Sequence, residues 1–134
     1  MLTSLSSRNA RKRIFSVVTA INVLVAAGFS IAGLVSPTAI LPAGAVPNEA
    51  SFIFAMYAAA RSIPLAVMTL VAIYNNSQWA LLMLGTLAGF IQLLDSGVGL
   101  VQHDLGKSVG PLVIAALQFS AIYLLTRSAQ SGAK

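Results

Sequence analysis

WALLMLGTLAGFIQLLDSGVGLV, residues 79–101, decides how this chain is to be read. The stretch is 23 residues long, and Gln92 and Asp95 are its only strongly polar side chains. Its apolar residues neither alternate as in a half-buried strand nor keep to one face as in a surface helix. A helix needs about 20 predominantly apolar residues to cross a bilayer, within a range of roughly 17 to 25. The stretch therefore reads as a transmembrane helix.

Outward from it the same pattern recurs. Residues 75–78, Asn-Asn-Ser-Gln, form a short polar turn, and residues 51–74 before them are a second apolar run holding Arg61 and Pro64. Residues 36–50 carry Pro37, Pro42 and Pro47 and suit a connection. Residues 14–35 are a further run, interrupted only by small polar groups and Asn22, and they follow the basic segment 1–13. On the other side, residues 102–108 form a loop and residues 109–125 a fourth run, with Pro111 in its expected first turn, where a missing N–H costs little. A polar tail, 126–134, ends the chain. The expected architecture is all-α: one transmembrane four-helix bundle over residues 1–134, with spans of about 14–35, 51–74, 79–101 and 109–125 and antiparallel up-down neighbours. A closed strand barrel needs alternating segments of about ten residues, and the chain has none.

Composition agrees. The chain is 57% hydrophobic and 8% charged, whereas soluble domains carry about 25% charged residues. There is no cysteine, which excludes disulfides and thiolate chemistry. One histidine and three acidic residues make a self-contained metal site or a soluble-type acid/base enzyme hard to assemble, and no cofactor is evident. The net charge of +5 reads as topology and anionic-lipid contact, not nucleic-acid binding.

Lys and Arg counting sets the expected orientation. Arg8, Arg11, Lys12 and Arg13 precede the first span, and Arg127 and Lys134 follow the last. Among the connections on the opposite side only Lys107 is basic, six cations against one. Both ends are thus expected in the cytoplasm, in a multi-pass protein of the bacterial cytoplasmic (inner) membrane, with Tyr74, Trp79 and Tyr123 at the cytoplasmic interface. Ala43-Gly44-Ala45 resembles a signal-peptide cleavage site, but the preceding apolar run is longer than the roughly 7 to 15 residues of such a signal.

Charge at membrane depth is the chemical signal. At 1.5 Å per residue Arg61 lies roughly 15 Å, and Asp95 roughly 8 Å, from the outer ends of their spans. An Arg at a helix centre costs about 2.5 to 3.5 kcal/mol, against roughly −3 to −5 kcal/mol from the nine Leu, Ile, Val and Phe residues of its span. Asp95 is the only acidic residue inside another span, so the two are expected as interior neighbours. Gln92, Gln118, Asn22 and Tyr57 fall near the same level and complete a candidate polar interior site. Two readings compete there: polar glue between helices, and a site for a ligand, ion or substrate. Gly85 and Gly89 form a G-x-x-x-G on the third span, expected to pack closely within the bundle, with Ala58-Ala59-Ala60 as a smooth surface to receive it. His103-Asp104 reads as a solvated loop pair, with a proton-carrying histidine as the sharper alternative. Glu49 is expected to favour the dipole at the start of the second span.

With these residues in view, the order of features resembles the DoxX-like group of small four-span bacterial membrane proteins and its uncharacterised relatives. The likeness rests on Ala32-Gly33-Leu34-Val35-Ser36-Pro37, on Tyr57-Ala58-Ala59-Ala60-Arg61 and on Leu94-Asp95-Ser96-Gly97. It implies a four-span bundle; some members are subunits of quinone-linked sulfur oxidation systems, but no quinone-specific or thiosulfate-specific motif appears in this chain. In size and span count the chain is also similar to small multidrug resistance transporters, which depend on a glutamate in their first helix where this chain has only Asn22. Function is therefore expected to be a binding or accessory role in the membrane. The alternatives are a membrane enzyme or redox subunit acting on a lipid-soluble substrate, and a small homodimeric transporter. The expected partners are the lipid bilayer, a hydrophobic or amphipathic small molecule, and a second copy or a partner membrane subunit.

Overall fold

The helix ends are written in local chemistry. Asn48 and Ser51 form a reciprocal capping box: the Asn48 side chain accepts from the Ser51 N–H at 2.9 Å and Ser51 Oγ accepts from the Asn48 N–H at 3.0 Å. Asn76 and His103 both take left-handed backbone, with φ of 51° and 53°. Each closes a Schellman motif, in which Ser77 N–H donates to Ala72 O and Asp104 N–H to Gly99 O, both at 3.0 Å or less. These devices delimit the helices of the computed structural model, which describes residues 2–42 and 44–130, less the side chains of residues 2–6, Arg8, Ala39 and 128–130. Lys134, one of the cations used above to orient the chain, lies outside the described residues, as does the Arg8 side chain.

Helix α1 is Leu2–Val35, followed by a 3-10 turn at Pro37–Ala39; α2 is Glu49–Tyr74, α3 is Gln78–Val101 and α4 is Leu105–Gln130. All four are long and apolar enough to cross a membrane. Two boundaries differ from expectation. Helix α1 begins about three turns earlier, because no breaker separates Leu2 from Ile14 and a basic helix is stable where it leaves the lipid. Its 34 residues span about 51 Å, beyond the roughly 30 Å of hydrocarbon. Helix α4 begins four residues earlier, because Asp104 Oδ1 accepts the Lys107 N–H at 3.1 Å and caps it. Pro111 thus sits inside α4 instead of in its first turn, and Lys107 O loses its donor four residues on.

The interior is built of small residues. Ala55, Ala59, Ala66, Ala72, Ala88, Ala115 and Ala121 are buried, while Phe54, Leu94, Leu100 and Val101 point outward. An exterior more apolar than the interior suits a protein solvated by lipid. One buried cluster joins Phe15, Ala72, Leu81 and Ala121; a second, at mid-height, joins Val23, Ala27, Leu65, Ala66 and Ala88. At the opposite end from the first, Lys107 Nζ donates to Leu41 O and ties α4 to the connection before α2. Helices α3 and α4 pack most extensively and α1 and α2 next; among the described residues no Cα of α2 lies within 8 Å of one in α4.

Helix α3 buries Gly85, Ala88, Gly89, Gln92, Ser96 and Gly99. A Cβ at Gly85 would lie 2.7 Å from Gln118 Nε2 and 3.1 Å from the Phe15 ring; one at Gly89 would lie 3.0 Å from the Phe119 ring. The G-x-x-x-G surface therefore meets α4 and α1, not Ala58-Ala59-Ala60 of α2. Gly85→Leu or Gly89→Leu should lower stability in detergent by about 1–3 kcal/mol through overpacking, read as the shift in thermal or denaturant unfolding; two wild-type curves would place this face against lipid.

Candidate functional site

Polar residues of three helices meet at mid-height. Gln92 Nε2 of α3 donates to Asn22 Oδ1 of α1 at 2.9 Å, and Asn22 Nδ2 donates to Gln118 Oε1 of α4 at 3.2 Å. Gln118 Nε2 donates to Thr19 Oγ1 at 2.9 Å, and Thr19 Oγ1 donates to Phe15 O at 2.8 Å. All four side chains are at most 3% exposed. This chain of hydrogen bonds satisfies amides that hydrocarbon would penalise. Its groups are neutral and in contact with one another, which makes it polar glue between α1, α3 and α4.

Beyond this belt, toward the end that holds the 3-10 turn and residues 102–104, the bundle opens into a cavity of about 560 Å³ lined by all four helices. Small residues leave the room: Ala26 and Ser30 on α1, Ala58 and Ser62 on α2, Gly106 and Gly110 on α4. Phe29, Leu65, Ile91 and Ile114 supply apolar wall. Arg61 and Asp95 face the same space from α2 and α3, near enough for their charges to interact. Neither makes a direct hydrogen bond or ion pair among the described residues; the one ion pair within 4 Å there is Lys107–Asp104, at 3.4 Å. Asp104 and Lys107 also line the cavity and are already engaged. Lys107 Nζ donates to Leu41 O and to Gln102 Oε1. The Lys107 backbone N–H holds the Asp104 carboxyl below the usual carboxylate range. The Asp104 cap of α4 is therefore fully present above the ordinary carboxylate pKa and is lost only as pH falls through the lowered value.

The expected single cluster thus divides. Asn22, Gln92 and Gln118 come together, without the charges. Arg61 is exposed on α2 and Asp95 half-buried on α3, so the two line one cavity instead of forming the expected interior salt bridge. The reason is geometric: α2 and α3 pack far less closely than α3 and α4 or α1 and α2, and small residues on the surrounding helices leave room for the cavity. Tyr57 does not join either group, being 70% exposed on the outside of α2. His103 serves as the left-handed residue that ends α3, a position histidine tolerates better than most residues. Of the cations from which the orientation is expected, Arg11 and Lys12 are half-buried and Arg13 is exposed. Arg127 lies with its guanidinium carbon 5.9 Å from the Tyr123 ring centroid.

Four contributing residues are not evident from the sequence. Thr19 completes the amide belt. Gly99 lets α3 and α4 touch through their backbones, since a Cβ there would lie 2.5 Å from Lys107 C and O and from Ser108 N. Ser96 and Ser108 share a hydrogen bond at 3.4 Å beside that contact. The signal was present as small residues at 85, 89, 96 and 99, one face of α3 continued past the two glycines that form the motif. Among the described residues no three His, Asp or Glu side chains converge as a metal site would require. Comparison of the chain with protein-family models, curated proteins and solved structures finds no match in any of the three.

Proposed function

We propose that this protein is a binding component of the bacterial cytoplasmic membrane that holds a small amphipathic molecule in the cavity between its four helices. The observation that carries the reading is the cavity itself. Membrane-protein interiors are close-packed like other protein interiors, yet about 560 Å³ stays open in this one, within the roughly 300 to 1,000 Å³ of small-molecule sites. Its wall is largely apolar, and two opposite charges face it without direct partners. An amphiphile would fill the apolar part and satisfy the polar part. Native mass spectrometry of the protein extracted in mild detergent should find a bound amphiphile on the wild type. Ala58→Trp and Ser62→Phe, which fill the cavity, should emerge bare and still folded; a bare wild type would contradict the reading.

In this reading the helices run antiparallel, up and down, with both termini in the cytoplasm. The cluster of Phe15, Ala72, Leu81 and Ala121 at one end and the Lys107–Leu41 contact at the other support the first part. The excess of Lys and Arg at the two termini, with Tyr74, Trp79 and Tyr123 exposed at that same end, supports the second. Reporter fusions at residues 1 and 134 should both read as cytoplasmic; a periplasmic signal from residue 134 would mean an odd number of spans. The cavity of the bundle then opens toward the periplasmic half of the membrane. The likeness to the DoxX-like group agrees with a role beside other membrane components, and we keep membership in that group as part of the proposal.

A further inference from the structure

We propose that the cavity selects a zwitterionic amphiphile, whose anionic group Arg61 takes and whose ammonium group Asp95 takes. The inference rests on the reading of the cavity as an amphiphile site and adds the chemistry of the headgroup. Four charged side chains line the cavity: Arg61, Lys107, Asp95 and Asp104. Lys107 and Asp104 are already satisfied, by each other and by Leu41 O, Gln102 and the α4 cap. That leaves one guanidinium and one carboxylate, on facing helices and not in contact. A purely anionic headgroup would pair with Arg61 and leave Asp95 stranded and repelled. A purely cationic one would do the reverse, and a neutral one would leave both without a direct partner. Only a ligand carrying both signs gives each of the two groups a direct partner at once. Arginine suits a phosphate or carboxylate because its planar fork donates to two oxygens together. Phe29, Leu65, Ile91 and Ile114 provide the surface for a tail, so the ligand is an amphiphile and not a free zwitterion.

The test uses the full-length protein in detergent and native mass spectrometry with three probes: lysophosphatidylethanolamine, lysophosphatidylglycerol of the same chain, and glycerophosphoethanolamine, which has the headgroup without a tail. The wild type should favour the ethanolamine lipid over the glycerol lipid by roughly tenfold or more, the range of one charge-assisted hydrogen bond, and should not retain glycerophosphoethanolamine. Asp95→Asn should bring the two lipids level, while Asp95→Glu keeps the preference. Arg61→Gln should weaken both lipids. Equal binding of the two lipids by the wild type, or a preference that survives Asp95→Asn, would overturn the inference. Tail-free headgroup bound as tightly as the lipid would overturn its amphiphile half. If both lipids bind equally and Ala58→Trp displaces both, the cavity reading stands and only the headgroup assignment falls; if neither binds, both fall.

Discussion

Gly99→Leu should be the most damaging single substitution in the chain. The obstruction at Gly99 is backbone, Lys107 C and O and Ser108 N, all 2.5 Å from where a Cβ would stand. A side chain in the way can rotate; a helix backbone cannot. Helices α3 and α4 would have to part, which also breaks the Ser96–Ser108 hydrogen bond beside the contact. Overpacking typically costs about 1–3 kcal/mol and more where nothing can yield, so the loss should reach or exceed the top of that range. Gly97 is the control. It lies two residues away, exposed, with open space where its Cβ would be. Gly97→Ala should be neutral or stabilise by up to about 0.5–1 kcal/mol, because glycine inside a helix carries an entropic cost. Denaturant unfolding of both variants in detergent reads the contrast. A wild-type curve for Gly99→Leu would mean that α3 and α4 are not in backbone contact there.

Gln118→Leu should rank close behind. The side chain is fully buried and links two helices, accepting from Asn22 and donating to Thr19. Hydrogen bonds between membrane helices average about 0.6 kcal/mol, with a maximum near 1.7. Removing Gln118 breaks two of them and strands Asn22 Nδ2, and a stranded buried group costs about 1–3 kcal/mol. The expected loss is therefore about 1–3 kcal/mol. Adding Thr19→Val should cost less on the Gln118→Leu background than on the wild type, because their shared bond is already gone. Full additivity would show that the belt is not a connected network.

The bundle was legible in the sequence because lipid leaves few options: long apolar runs must be helices, and the runs around Asn22, Arg61, Gln92 and Gln118 are plain to see. The ends of α1 and α4 were less legible. Residues 2–13 have no breaker but are too polar to count as span, and the Asp104 cap is a matter of one side-chain rotamer. Depth along each helix placed the polar residues near one another. It does not say which face of each helix turns inward, and Tyr57, at the depth of the polar residues, lies 70% exposed on the outside of α2. The spacing of Arg61 and Asp95 was compatible with a salt bridge; whether they touch depends on how far α2 and α3 separate, which is set by small residues on all four helices together. The cavity, the feature that bears most on function, is a property of the assembled bundle and has no signature in any one segment.

The central claim is that Arg61 and Asp95 serve a ligand and not each other, and a double-mutant cycle read in two ways tests it most directly. Stability and retained amphiphile are measured for wild type, Arg61→Leu, Asp95→Leu and the double variant. The two side chains make no direct contact and interact only across the shared cavity, so the coupling in stability should stay at about 1 kcal/mol or less, and each single variant should retain less amphiphile than the wild type. A buried ion pair would behave otherwise: each single replacement would lose about 3–5 kcal/mol and the double would recover most of it. That recovery, with the amphiphile still bound in the double variant, would contradict the account.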